Sequence, residues 1–401
     1  MLVLSDFTFP STEGLHKQAL LHARYMADTY DLCLIIFCKD ADNVDIDGLS
    51  KELRLSNPIV LISYTGSMLT RGYRNFILGN ACSQSRAVVT TVRSFSPEFI
   101  HLYGYAVAGL HRHFRHIPGV ISWVDAASRR QFRLARVSVR RSFKHSVAGL
   151  AYLAYEVLCR SRNKVWHVVS DVDKRFLARV HPTQACIQIP VVVEALTSSA
   201  PRSSDVMQQS RADIVEGGNG RELNAVIFAD LRVDYLYESF TQLVHHCLLP
   251  LHGELPSIRY LVLGRVDEDE KLRRLCFGLN IDFISWVDDL DAALSKADIV
   301  ILPDQVGTGL KNRAITALAA GCVVLGSDFA FEGISITPGH HAVIARSQSE
   351  WRAGIRALAN DSRMRQSLRE AAADATKEFD PQLVFARWSN TYLEISKRHL
   401  L

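Results

Sequence analysis

The residues with the most chemical content lie in one run, Ile299-Val300-Ile301-Leu302-Pro303-Asp304-Gln305-Val306-Gly307-Thr308-Gly309-Leu310-Lys311. Its apolar β-formers predict a buried strand, Gly307 and Gly309 a turn, and Leu310–Ala320 a helix that stops at Gly321. Glycines let backbone N–H groups approach a bulky anion, and the start of a helix adds unpaired N–H groups and the positive end of its dipole. Lys311 in the first turn, with Arg313 beside it, adds countercharge suited to a diphosphate. A plain connecting loop with an incidental lysine is the other reading of the same pattern. Asp125 is a second candidate, because it follows the apolar strand Val120–Val124. A carboxylate at the carboxyl end of an inner strand either orients a substrate or caps the helix that comes next. Gly14, between the first strand and the first helix, offers a flexible turn for an acceptor or a donor phosphate.

The elements that must position these residues alternate along the chain. Short apolar runs separated by helical patterns predict parallel sheets with helices on both faces. In the first half the expected strands are Leu2–Ser5, Leu32–Phe37, Ile59–Tyr64, Ala87–Val92, Val120–Val124, Val165–Val169 and Ile187–Ile189. The clearest helix is Leu15–Thr29, with Leu15, Ala19, Ala23 and Met26 on one face. Residues 197–222 are rich in Ser, Gly, Asp, Arg and Gln and lack periodic hydrophobics, which predicts an inter-domain linker. Beyond it the alternation restarts with strands at Ala225–Ala229, Ile258–Leu263, Ile281–Ile284, Ile299–Leu302 and Val323–Leu325. The expected organisation is an N-terminal doubly wound domain over 1–196, a C-terminal one over 223–375, and a final helix over 376–401 that returns to the N-terminal domain. Open parallel sheets bind ligands at the carboxyl ends of their strands, so a crevice there is the default site.

The run GTGLKNRAITALAAGCVVLGSDFAFEGI resembles the donor-binding segment of retaining glycosyltransferases of family four, the glycosyl transferases group 1. Ile258–Gly264, Asp282–Leu290 and Ala297–Pro303 precede it in the order that family shows, and Gly339–Ala345 through Tyr392 resembles its C-terminal region. The resemblance is close over 258–345 and loose before residue 200. It implies a GT-B fold, two Rossmann-like α/β domains facing across a cleft, and sugar transfer from a nucleoside diphosphate sugar with retention of configuration. It assigns the diphosphate to Gly307, Thr308, Gly309 and Lys311, with Arg232 after the first strand of the second domain assisting. Gly264 is counted with the donor-binding residues, and Trp286 and Val287 would lie against the nucleobase. Where the family carries a pair of glutamates for the ribose, this chain has Thr308 and Thr316; Glu332 is the carboxylate placed to substitute. No metal or other cofactor is expected.

Charge and composition bound the remaining possibilities. With 46 basic and 42 acidic residues the formal net charge is +4, which argues against a surface built throughout for nucleic acid. Residues 101–164, however, hold twelve basic residues against Asp125 and Glu156, interleaved with aromatics. That stretch reads either as a face that docks on an anionic membrane or as a solvated helix face. The opening Met1-Leu2-Val3-Leu4-Ser5 reads as a strand rather than a leader, and scattered cysteines without metal-ligand spacing suggest reduced thiols in a cytoplasmic protein, peripheral to the membrane at most. The acceptor expected is a glycan or a lipid-linked intermediate. The absent glutamates keep open a catalytically silent GT-B subunit of another transferase, and an epimerase would share the two-domain shape.

Overall fold

The computed structural model describes residues 1–5, 7, 9, 14–38, 44–64, 67–77, 83–137, 141–193, 222–255, 258–266, 270–285, 287 and 290–399. The chain divides into two compact units, Met1–Val192 with Gln382–Leu401, and Val193–Pro381. Apart from Glu222, the linker expected over 197–222 lies outside the described residues.

The first unit is built on a seven-stranded sheet: β1 (Leu2–Ser5), β2 (Leu34–Cys38), β3 (Val60–Ser63), β4 (Ile100–Tyr103), β5 (Gly119–Val124), β6 (Lys164–Val168) and β7 (Cys186–Gln188). The second holds a six-stranded sheet: β8 (Leu223–Phe228), β9 (Ile258–Leu263), β10 (Ile281–Ile284), β11 (Ile299–Leu302), β12 (Val324–Gly326) and β13 (Val343–Ile344). The strand orders are β3-β2-β1-β4-β5-β6-β7 and β10-β9-β8-β11-β12-β13, with every pairing parallel. Both are doubly wound, and the direction of winding reverses between β1 and β4 and between β8 and β11. Helices cover both faces, so the inner strands are largely buried, and β2, β4 and β11 are buried along their whole length.

One expected strand is a helix. Ala87–Val92 lies within the helix Ser83–Phe95, where Val88, Val89 and Val92 are buried while Arg86, Thr90 and Arg93 face solvent. β-branched residues weaken a helix by only about 0.5 kcal/mol each, and burial of a Val face outweighs that. The strand of this region is β4, whose apolar pattern is broken by His101 and so escapes notice in the sequence.

His101 belongs to a buried polar chain that fastens the helix Pro381–His399 to the first unit. His167 Nε2 donates to the Ile189 carbonyl oxygen at 2.8 Å, so its Nδ1 accepts from Ser122 Oγ, also at 2.8 Å. Ser122 in turn accepts from His101 Nε2 at 2.6 Å, leaving His101 Nδ1 to accept from Tyr392 Oη at 2.8 Å. Tyr392 accepts from His22 Nε2 at 2.7 Å. One carbonyl thus fixes the proton order across β4, β5 and β6 to the C-terminal helix, with every ring neutral. Burial lowers His22 to about 3 and His167 to about 4, and it holds His101 well below the usual histidine range.

Because these folded-state values lie below the unfolded value of about 6.5, the stabilisation is present above that pH and is lost as pH falls through it. Between pH 7 and 6 the three rings together should cost about 2 kcal/mol of stability. Urea unfolding followed at the two pH values measures this; equal midpoints would show that the rings are not held neutral.

Candidate functional site

The glycine loop stands where the second sheet reverses direction. β8 and β11 are neighbours, yet β8 leads to β9 on one side and β11 to β12 on the other, so residues 229–233 and 303–311 flank the crevice where open α/β sheets hold ligands. Gly307 has φ 147° and Gly309 φ 70°, conformations that side chains rarely adopt. Lys311 is the N-cap of the helix Asn312–Ala319 and lies just ahead of it, not inside its first turn. The shift matters for geometry: the ammonium turns back into the loop, where Nζ donates to the carbonyls of Thr308 at 2.9 Å and Gly309 at 3.0 Å. A Cβ on Gly307 would sit 3.0 Å from Lys311 Cε and Nζ, so the glycine leaves room for this fold-back.

Arg313 does not supply the countercharge expected of it. Its guanidinium pairs with Asp304, whose side chain is fully buried behind the loop. Ser327 Oγ donates to the Asp304 carbonyl, and the Gln305 N–H donates to Ser239 Oγ at 3.3 Å. These contacts tie the start of the loop to the sheet and to the helix Asp234–Leu243. Asp304, separated from an apolar strand by Pro303 alone and nine residues before an arginine, was the available sequence signal for this brace.

The other donor-side candidates lie in the same unit. Arg232 forks onto Asp230, with Nε to Oδ1 at 3.2 Å and NH2 to Oδ2 at 2.9 Å. Burial works against ionisation of Asp230, yet hydrogen bonds from Arg232 hold its carboxyl below the usual range. Gly264, at φ 150°, ends β9 where an added Cβ would lie 2.0 Å from the Ala229 carbonyl oxygen, so its role is to let two strand ends meet under the crevice. Thr308 is buried, while Thr316, on the helix behind the loop, and Glu332, in the turn after β12, are half-buried. Val287 is half-buried past β10; Trp286 lies outside the described residues.

In the first unit, Asp125 follows β5 through a feature that sequence cannot show. Val124 adopts φ 70°, and the pairing with β6 shifts register between Ser122 and Val124. A β-branched residue held in the left-handed region stores about 1–3 kcal/mol, and such strain collects at functional positions. Asp125 pairs with Arg130 at 3.1 Å. The N–H groups that open the helix Ala127–Val137 go elsewhere: Ala127 donates to Tyr105 Oη at 2.7 Å and Ser128 to Glu156 Oε1 at 3.4 Å. Glu156 is fully buried and also accepts from Tyr105 Oη and Ser128 Oγ, each at 2.8 Å. Asp173 pairs with Arg129 at 2.9 Å; burial, then the charge of Asp125, raises its carboxyl above the ordinary value. These buried groups hold the strand end on which Asp125 stands. Gly14 opens the helix Gly14–Thr29 after β1.

Residues 227–361, which include the loop, match the family described as Glycosyl transferases group 1. Comparison with curated protein sequences returns no match. Among solved structures, HepE of Anabaena in complex with UDP is similar at 13% identity and a TM-score of 0.69, covering 98% of this chain and 100% of HepE. Sucrose-phosphate synthase of Thermosynechococcus elongatus is similar at 13% identity and a TM-score of 0.71, with 98% of each chain covered. WaaG, a glycosyltransferase involved in lipopolysaccharide biosynthesis, is similar at 13% identity and a TM-score of 0.63, covering 98% of this chain and 99% of WaaG. The two doubly wound sheets, the neighbours that share them and the domain match over 227–361 lead to one statement: the chain has the two-domain GT-B fold, and its second unit carries a segment similar to the glycosyl transferases group 1.

Proposed function

We propose that the protein transfers a sugar, with retention of anomeric configuration, from a nucleoside diphosphate sugar to a hydroxyl of a glycan or lipid-linked acceptor in the cytoplasm. Gly307, Thr308, Gly309 and Lys311 cradle the diphosphate, and Arg232 reaches it from the neighbouring strand end. Gly264 shapes the floor, Val287 and Trp286 flank the nucleobase, and Gly14 admits phosphate or acceptor on the other unit. Thr308 and Thr316 meet the ribose by hydroxyl contacts, with Glu332 as the nearby carboxylate. The observation that supports this reading most is the glycine–lysine loop at the reversal between β8 and β11, leading directly into a helix N-terminus. HepE, which shares the fold, was solved with UDP, so uridine nucleotides are the first donors to try.

In the transfer, the bond between the anomeric carbon and the β-phosphate oxygen breaks, and the acceptor oxygen bonds to the same face of the sugar. The hydroxyl proton passes to a donor phosphate oxygen, and the nucleoside diphosphate leaves. Lys311 and the start of the helix Asn312–Ala319 stabilise the negative charge that grows on the leaving group, so the site works without a metal. Asp125 orients the acceptor hydroxyl and is not the general base.

Slow hydrolysis of the donor tests this without an identified acceptor. Proton NMR of the released sugar should first show the donor's own anomer, and an inverted anomer would contradict retention. Epimerised donor would point instead to an epimerase. Asp125→Asn should lower turnover about tenfold while changing unfolding free energy by no more than about 1 kcal/mol, since the ion pair it breaks is partly exposed. Unchanged turnover would remove Asp125 from the site. The hydroxyls at Thr308 and Thr316 favour one second reading, a silent subunit that binds no donor.

A further inference from the structure

The helix Ser142–Leu158 has one face engaged and one face open. Its inner face packs within the first unit: a Cβ on Gly149 would lie 2.6 Å from Phe132 on the helix Ala127–Val137, and the Ala151 carbonyl accepts from Tyr73 Oη at 2.9 Å. Its outer face presents Phe143, 84% exposed, with Val147 at 50%, Leu150 at 59%, Val157 at 46% and Leu158 at 40%. Of the eight large hydrophobics exposed among the described residues, five lie on this one helix. Their spacing of four, three and seven residues, with exposed Ala154 filling the interval, aligns them into a single stripe. A continuous apolar stripe of this kind marks a surface that something covers.

The charge around the stripe identifies what. Residues 127–158 contain seven basic residues and a single acidic one, Glu156, which is fully buried. Arg136, in the last turn of the preceding helix, and Arg141 and Lys144, at the start of this one, are exposed. An apolar helix face with basic flanks and no exposed carboxylate is complementary to a bilayer that displays anionic headgroups, with apolar side chains entering the acyl boundary while the cations meet phosphates. A second copy of the chain is disfavoured because its matching face would bring like charges together. No helix among the described residues is long and apolar enough to cross a membrane, so the contact is interfacial. We propose that the outer face of Ser142–Leu158 docks the first unit on an anionic lipid surface. The proposal stands on this helix and does not depend on donor binding.

The test is sedimentation of the full chain with phosphatidylcholine vesicles that contain or lack phosphatidylglycerol, at low and high salt. The wild type should pellet with the anionic vesicles and be released by salt. Phe143→Ser with Leu150→Ser, and separately Arg136→Glu with Lys144→Glu, should each reduce partition about tenfold. Both pairs should leave the thermal midpoint and UDP affinity at wild-type values, so a failure of donor binding is scored separately. A double serine variant that partitions as the wild type does, or a wild type that ignores anionic vesicles, would overturn the proposal. So would a wild-type dimer that dissociates on the serine substitutions, because the stripe would then be a homodimer face.

Discussion

Lys311→Ala should lower affinity for the nucleoside diphosphate, and the rate of the proposed transfer, by at least about tenfold, the effect of losing one charge-assisted contact of about 1.5–3 kcal/mol. Lys311 Nζ now donates to two neutral carbonyls, those of Thr308 and Gly309. Anionic phosphate oxygens are stronger acceptors than carbonyls, so on the proposed reading an arriving diphosphate would draw the ammonium off its own loop. The same substitution removes the brace within residues 307–311, so part of the loss arises from a looser loop. Lys311→Arg separates the two: it keeps the charge but changes the shape that fits against Gly307. Titration calorimetry and initial rates on both variants read the result. Kinetics and affinity unchanged in Lys311→Ala would remove the lysine from the donor site.

Gly264→Ala should destabilise the second unit by more than about 3 kcal/mol and weaken the proposed donor binding with it. The new methyl would lie 2.0 Å from the Ala229 carbonyl oxygen and 2.5 Å from its carbon, contacts with backbone rather than with a side chain able to swing away. The two strand ends must separate, although Ala229 N–H to Leu263 O at 3.0 Å and Leu231 N–H to Arg265 O at 2.8 Å now zip them together. Because residues 229–233 form one wall of the crevice, the damage is structural and functional at once. Chemical denaturation should show an early transition in the variant; a wild-type curve would mean that the strand ends tolerate the methyl.

The contrast between these two glycines shows what was legible in the sequence. Gly307, beside Gly309 and Lys311 and between a strand and a helix, reads from sequence alone as a candidate ligand loop, and its left-handed backbone fits that pattern. Gly264 stands alone after β9, and only the approach of the Ala229 carbonyl reveals why a side chain is excluded there. The strands of both sheets were readable where apolar runs are unbroken, as in β2 and β11. β4 was not, because His101 interrupts it, and its histidine is tolerated only through a partner chain spread over residues 22, 122, 167 and 392. The helix at Ser83–Phe95 reads as a strand because local propensity favours Val and Thr there, whereas tertiary packing decides the outcome. The brace behind the glycine loop, Asp304 to Arg313, needed three dimensions: sequence offered Arg313 as countercharge, and the fold engages it with a buried carboxylate. The strain at Val124 has no sequence signal at all, since nothing in Ser122-Trp123-Val124-Asp125 calls for a left-handed backbone.

Titration of the purified chain with UDP, GDP and ADP tests the central claim most directly. At least one nucleotide should bind with a Kd below the millimolar range, and that binding should be lost or weakened about tenfold in Lys311→Ala. Absence of binding by all three at millimolar concentration would contradict the account and leave a GT-B protein whose loop at Gly307–Lys311 holds no donor.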